Sequence, residues 1–215
     1  MIDFSLIWES LPSLLEGSLM SLQISLIAAG LGISLGSVFG IVEAKRLPFS
    51  FLVSFYVTLF RGTPMLVQIL FVYYVLPQFG VVIAPFWAAS FAIGLNSCAY
   101  VSQIIRSGIQ AVSKGQSEAA YTLGFSSFKT MRYIVFPQAL RITLPSLGNE
   151  MVTLVKDSSL ASIIGVMELS KEASIIRSRT YDAFSILLAV SVIYLILTAL
   201  LSFCIKKYEK RLSHV

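Results

Sequence analysis

Apolar residues in this chain come in long blocks separated by short polar punctuation, which is the pattern of helices that cross a bilayer. The first block runs from Ser18 to Val42 and carries Gly32, Gly36 and Gly40 at every fourth position, a small-residue face suited to close helix packing. Glu43-Ala44-Lys45-Arg46 and Pro48 mark a polar turn. Phe49 to Leu76 is apolar again but is broken by Arg61-Gly62-Thr63-Pro64. As one straight helix it would reach ~42 Å, well beyond the ~30 Å hydrocarbon core, so the break divides it, with Pro64 opening the second half. Pro77-Gln78-Phe79-Gly80 is a turn, and Pro85 to Gly108 is the third block. The fourth follows Arg141 and Pro145 and extends to Val166; the fifth is Phe184 to Ile205. Glu168 to Asp182 reads as a mixed-charge loop between them. The fold class expected is an all-α polytopic membrane protein with about five transmembrane helices.

Composition agrees and narrows the chemistry. The 215 residues are 56% hydrophobic and 13% charged, against about 25% charged in soluble domains. Mean hydropathy is +0.83. Net charge is +5, but the basic residues follow the loops and do not gather into a nucleic-acid-binding arm. Cys98 and Cys204 lie in apolar blocks and read as small hydrophobes, giving neither a disulfide framework nor a metal site. With His214 as the single histidine, Ser–His–Asp and Cys–His catalysis fall away. No G-x-x-x-x-G-K-[ST] loop is present, so the chain holds no nucleotide by that route and binds no cofactor of its own.

The most informative interruption is the segment 113–137. Glu118-Ala119-Ala120 is good helix-forming sequence, Gly124 suits a turn with positive φ, and Ser126 can cap a second short helix. Phe125, Phe128 and Met131 recur at helical spacing beside Lys129 and Arg132, and Pro137 is expected to stop that helix. The result is a helix–turn–helix knob fit to dock into a groove on a partner. Glu118-Ala119-Ala120, Gly124, Ile134 and Pro137 stand at the spacing of the EAA motif, and the chain resembles the permease subunits of ATP-binding-cassette (ABC) importers, type I. Phe136 replaces the family's Leu before the proline. The runs Arg61-Gly62-Thr63-Pro64, Asn96-Ser97, Pro137-Gln138-Ala139-Leu140, Gly148-Asn149-Glu150 and Lys156-Asp157-Ser158-Ser159-Leu160 further resemble the polar amino-acid branch of that family, of the histidine/glutamine/arginine type. The likeness spans about Leu15 to Arg211.

Two polar stripes run through the apolar blocks. Asn96, Tyr100 and Gln103 share a face of the third, and Asn149, Glu150, Thr153, Lys156 and Asp157 line one side of the fourth. Ionisable groups at membrane depth cost at least ~2.5–3.5 kcal/mol each, so they face protein or a water-filled path. A free amino acid needs an anion for its ammonium and neutral hydrogen-bonding groups to replace lost water. Glu150 fits the first need, and Asn96, Ser97, Asn149 and Thr153 the second; in relatives with a site inside the permease, the family resemblance likewise puts substrate on the position of Glu150. Arg61, with Thr63 and Pro64, is open to either a structural or a gating role. Lys156 and Asp157 either neutralise each other or pair with neighbouring helices.

The resemblance implies a division of labour. A second permease subunit, identical or not, faces this one. Two cytosolic ABC ATPases, which use ATP and Mg, dock on the coupling segment through Glu118, Ala119, Ala120, Gly124, Phe125, Phe128 and Pro137, and an extracytoplasmic binding protein delivers the amino acid. The chain itself is then not an enzyme. The positive-inside rule orients it: Lys45, Arg46, Arg106, Lys114, Lys129, Arg132, Arg141 and the basic tail share one side. This puts residues 1–17 outside a bacterial cytoplasmic membrane, 18–205 within the permease domain and 206–215 in the cytoplasm. A self-contained secondary transporter or channel is the alternative, although an inverted repeat, its expected sign, is not visible; a structural membrane subunit of another complex is a third reading.

Overall fold

The computed structural model describes residues 2–213; His214 and the side chain of Arg211 lie outside the described part. The described residues are helical throughout apart from short connections. The spine is α1, Phe4–Ala44, a single helix of 41 residues capped by Asp3, whose carboxylate accepts from the Leu6 N–H at 3.0 Å. At 1.5 Å per residue it is ~60 Å long, about twice the hydrocarbon core, so residues 4–17 continue the first apolar helix as its N-terminal turns. Gly36 shows why α1 can lie against α4 (Pro85–Ala111): a Cβ there would sit 2.7 Å from the Val101 Cβ and 2.8 Å from the Cys98 carbonyl oxygen. Backbone approaches backbone only because the position has no side chain. The glycine face is thus a packing face.

The second block folds back on itself. Helix α2 (Ser50–Gly62) and α3 (Met65–Leu70, continuing as a wider π turn at Phe71–Val75 and a 3-10 turn at Leu76–Phe79) meet at 106° across the Thr63-Pro64 break. After α4 come α5 (Lys114–Thr122) and α6 (Ser127–Thr130), a second π turn at Met131–Val135, and α7 (Phe136–Asp157). Pro137 does not stop the helix as expected. The backbone stays helical through it, because the π turn takes up the mismatch: the Phe136 N–H bonds back five residues to Met131 O, in the turn whose carbonyls a proline ring would crowd. Pro77 repeats the device, with the Leu76 N–H on Phe71 O.

The mixed-charge segment expected as a loop is helix α8, Leu169–Thr180. Its signals are conventional: Glu168 caps the start, Glu172 sits in the first turn, and Arg177 and Arg179 sit in the last, complementing the helix dipole. The last helix, α9, runs Ala183–Ser213, so the basic residues Lys206 and Lys207 continue the same helix.

Among the described residues, α1, α4 and α9 are long and apolar enough to cross a membrane, and the bent α2–α3 pair joins them only if its two arms are counted as one broken span. The fourth expected span, α7, does not join them by composition, because Asn149, Glu150, Lys156 and Asp157 occupy it. It packs within the bundle instead, with Gly148 against Ile205 of α9. Helix α4 is the central element, its most apolar stretch 72% buried against 22% for α9. Three apolar clusters stack along the α1 spine. Leu14 joins Leu169, Ala173 and Ile186 at one end. Ile24 and Ala28 join Ile69, Ala92, Ile93 and Leu154 in the middle. Ile41 and Ala44 meet Ile105, Met131 and Val135 at the other end.

Candidate functional site

The α4–α7 contact contains the carboxylate singled out from the sequence. Ser97, fully buried and pressed against Gly32 of α1, donates its hydroxyl to Glu150 Oε1 at 2.7 Å. Glu150 is half-buried and accepts this single side-chain bond, although a carboxylate offers about four acceptor sites. No other protein hydrogen bond to it is formed among the described residues. Asn149, Thr153 and Lys156 form an exposed edge beside it, with the Thr153 hydroxyl turned onto Asn149 O at 3.1 Å. Asp157 is half-buried, and no ion pair joins it to Lys156.

Asn96 belongs elsewhere. Its Nδ2 donates to Phe60 O at 3.1 Å and to Gln68 Oε1 at 3.0 Å. Gln68 Nε2 in turn donates to Phe60 O and the Thr63 hydroxyl, both at 2.8 Å, and to Thr63 O at 3.1 Å. These two amides satisfy the carbonyls that the Thr63-Pro64 break releases, which lipid would leave unpaired. Thr63 and Pro64 are thus held at the bend by Asn96 and Gln68. Arg61 finds an aromatic face instead of an acid, its guanidinium 5.3 Å from the Tyr100 ring centre. The role of Gln68 depends on contacts that only the fold brings together.

The second element is the knob. α5 ends on a Schellman turn: the Phe125 N–H reaches Ala120 O and the Gly124 N–H reaches Tyr121 O, both at 3.0 Å, with Gly124 at φ +80. Ser126 caps α6 through its hydroxyl, accepting from the Lys129 N–H at 3.4 Å. Glu118 and Ala119 are exposed, whereas Ala120 is buried and Phe125 half-buried. The knob exposes three large apolar side chains, Leu123 (78% exposed), Phe128 (73%) and Tyr133 (60%), and the charged Glu118, Lys129 and Arg132 are exposed on the same segment. Leu123 and Tyr133 escaped the sequence reading because neither belongs to the apolar spacing that picked out Phe125 and Phe128. The back of the knob, Met131 and Val135, is anchored on Ile105 and Ile109 of α4 and on the end of α1.

Two buried carboxylates were also missed. Glu43, read as part of a polar turn, is buried at the end of α1 and accepts from Ser102 Oγ at 3.1 Å, from the Gln103 amide, and from Arg106 Nη1 at 3.4 Å in an ion pair. Glu168 is fully buried and accepts the Ser170 and Lys171 N–H groups at 2.9 and 2.8 Å and the Ser21 and Tyr194 hydroxyls at 3.2 Å each. At the same end, Asp182 Oδ2 accepts from the Ser185 hydroxyl at 2.6 Å, and that hydroxyl accepts from the Asp3 N–H at 2.9 Å. The Ser185 hydroxyl, with its N–H, holds the Asp182 carboxyl below the usual carboxylate range.

A bundle of long apolar helices with an exposed helix–turn–helix knob at one end and a polar contact between α4 and α7 has the architecture of a membrane transport subunit. Residues 32–214 match the family model of the binding-protein-dependent transport system inner membrane component, and the chain belongs to that family. It is 39% identical over 214 residues to the arginine transport system permease protein ArtQ of Bacillus subtilis (strain 168), covering 99% of this chain and 98% of that one. It is also 39% identical over 218 residues to the glutamine transport system permease protein GlnP of Escherichia coli (strain K12), with 98% of each covered. A crystal structure of an amino acid ABC transporter with histidines superposes with a TM-score of 0.91, at 38% identity and over 98% of this chain and 99% of that one. An inward-facing MetNI methionine ABC transporter shares the fold, with a TM-score of 0.82, at 17% identity and over 98% and 99% of the two chains. The chain is therefore an ABC permease subunit of the type I importer fold and not the ATPase.

Proposed function

We propose that this permease forms the translocation path of an ATP-driven importer for a polar or basic amino acid, with Glu150 as the partner of the substrate's cationic group. The observation that supports it most is the state of Glu150: oriented by one hydroxyl, half-buried, and otherwise free to accept. Ser97 sets its position, and Asn149 and Thr153 stand on the adjoining exposed edge to replace the substrate's water. Asn96 is not in the substrate's reach in this reading; with Gln68 it secures the Arg61–Pro64 bend. The exposed edge of α7 faces a second permease subunit, so the path lies between the two. An extracytoplasmic binding protein delivers the amino acid, and two ATPases, using ATP and Mg, each receive a 113–137 knob through Leu123, Phe128 and Tyr133. The names of the relatives, arginine and glutamine permeases, favour the same substrate class. The N-terminus lies outside a bacterial cytoplasmic membrane and the C-terminus inside.

ATP-driven closure of the two ATPases moves the knobs, and the motion enters the bundle by two routes. One is the continuous helix through Pro137 and Pro145. The other is the packing of Met131 and Val135 on α4, which Glu43 and Arg106 tie to α1. The test is radiolabelled arginine uptake by the whole complex in vesicles, competed by a panel of amino acids. Glu150→Gln is expected to lower uptake ~10–100-fold, the loss of one charge-assisted contact, with unchanged thermal unfolding. Full uptake by that variant would remove Glu150 from the path.

A further inference from the structure

A concavity of about 340 Å³ opens between α1, α2 and α4, lined by Leu35, Phe39, Leu52, Val53, Tyr56 and Leu95. Its walls are almost wholly apolar, and the one polar group named there is occupied, since the Tyr56 hydroxyl donates to Leu95 O. Phe49, the first residue of the α2 entrance, forms its rim. The rim is continuous with the tight α1–α2 elbow, where Leu47 N–H bonds Val42 O and Ser50 N–H bonds Leu47 O, both at 3.0 Å. Lys45 and Arg46 stand on this elbow, four and three residues before Phe49.

Three further observations turn a lipid-facing hollow into a site. The nearest acid, Glu43, does not offset the elbow's charge, because its carboxylate is turned into α4 and held by Ser102, Gln103 and Arg106. Among the described residues three non-glycine positions have positive φ, and two of them, Arg46 (+50) and Phe49 (+70), are in this elbow. Side chains other than glycine hold that conformation when surroundings over-determine it, and such places concentrate at ligand clamps. The elbow also lies at the knob end of the bundle, where Ile41 and Ala44 pack with Met131 and Val135. Any lipid tail can cover an outward apolar surface. Here a concave apolar slot opens next to an elbow that carries two cations, and the neighbouring acid is sequestered.

We infer that the α1–α2 elbow is a site for one anionic phospholipid, its acyl chain in the hollow and its phosphate on Lys45 and Arg46. Basic groups beside a membrane-facing cleft attract anionic headgroups in the same way elsewhere. The inference rests on the chain's being embedded in a bilayer and is independent of what Glu150 binds.

The test places the permease complex in nanodiscs of equal phosphatidylglycerol and phosphatidylcholine, extracts it into mild detergent and counts retained lipid by native mass spectrometry. Phosphatidylglycerol is expected to exceed phosphatidylcholine by ~5-fold or more, the effect of even one basic residue near an anionic headgroup. Lys45→Gln combined with Arg46→Asn removes both charges, and Asn tolerates the left-handed backbone; this variant is expected to lose the preference while unfolding at the same temperature. Val53→Trp fills the hollow and is expected to lower retention of both lipids. Equal retention of the two lipids by the unaltered complex, or an undiminished preference in the double variant, would overturn the site. Arginine uptake in the same nanodisc-derived material, reconstituted in vesicles, reports separately on the transport reading.

Discussion

Glu150 and Glu168 are carboxylates in the same helical bundle, eighteen positions apart by number, and they are treated in opposite ways. Four donors close around Glu168, two from the backbone of α8 and two from the hydroxyls of α1 and α9, and no solvent reaches it. Glu150 has one donor and remains partly open. A buried carboxylate with four donors around it is a structural joint: it caps a helix and ties three helices together. A half-buried carboxylate with one protein donor keeps acceptor positions that a ligand can use. Burial by itself therefore does not distinguish the two carboxylates; the number of protein donors around each does.

The contrast breaks most visibly at Glu168. Glu168→Ala should cost about 2–3 kcal/mol, from a lost helix cap together with buried donors left without an acceptor. Thermal unfolding of the purified complex should fall by roughly 5–10 °C, while the substrate preference of the surviving protein stays as it was. Ser97→Ala is the smaller and converse change: it frees the Glu150 carboxylate to move, at about 1 kcal/mol. Uptake KM should rise a few-fold with little change in unfolding temperature, whereas Ser21→Ala, the matching deletion beside Glu168, should leave KM alone. The smallest effect belongs to a third carboxylate, Asp182. Its lowered pKa means that the clasp between the starts of α1 and α9 contributes above the ordinary Asp value of ~3.9 and is lost as pH falls through the lowered folded value. An acid titration followed by hydrogen exchange at residues 3–7 should show protection fading only below about pH 4, and Asp182→Asn should flatten it.

Much of this was legible in the sequence because it depended on spacing along one helix. The apolar blocks, the turn at Gly124, the Ser126 cap and the break at Pro64 are local, and the Glu150 stripe is a seven-residue repeat. What the sequence hid were relations between segments. Asn96 shares a helical face with Tyr100 and Gln103, yet its amide meets Gln68 and Phe60 of the broken hairpin, 28 and 36 residues away. Glu168 marked a loop until Ser21, 147 residues earlier, and Tyr194 were brought to it. Pro137 looked like a stop because a proline's missing N–H is a local fact, whereas the π turn that accommodates it depends on Met131 and Val135 packing on α4.

The central claim is that this chain supplies the passage and a separate ATPase, gripping residues 113–137, supplies the energy. Arginine accumulation in sealed vesicles measures it most directly, comparing the permease alone with the permease joined to its ATPases and binding protein, with all ion gradients collapsed. Uphill accumulation should occur only in the full complex and only with Mg-ATP inside the compartment that the knobs face. Concentration of arginine by the permease alone, or by the complex without ATP, would contradict it.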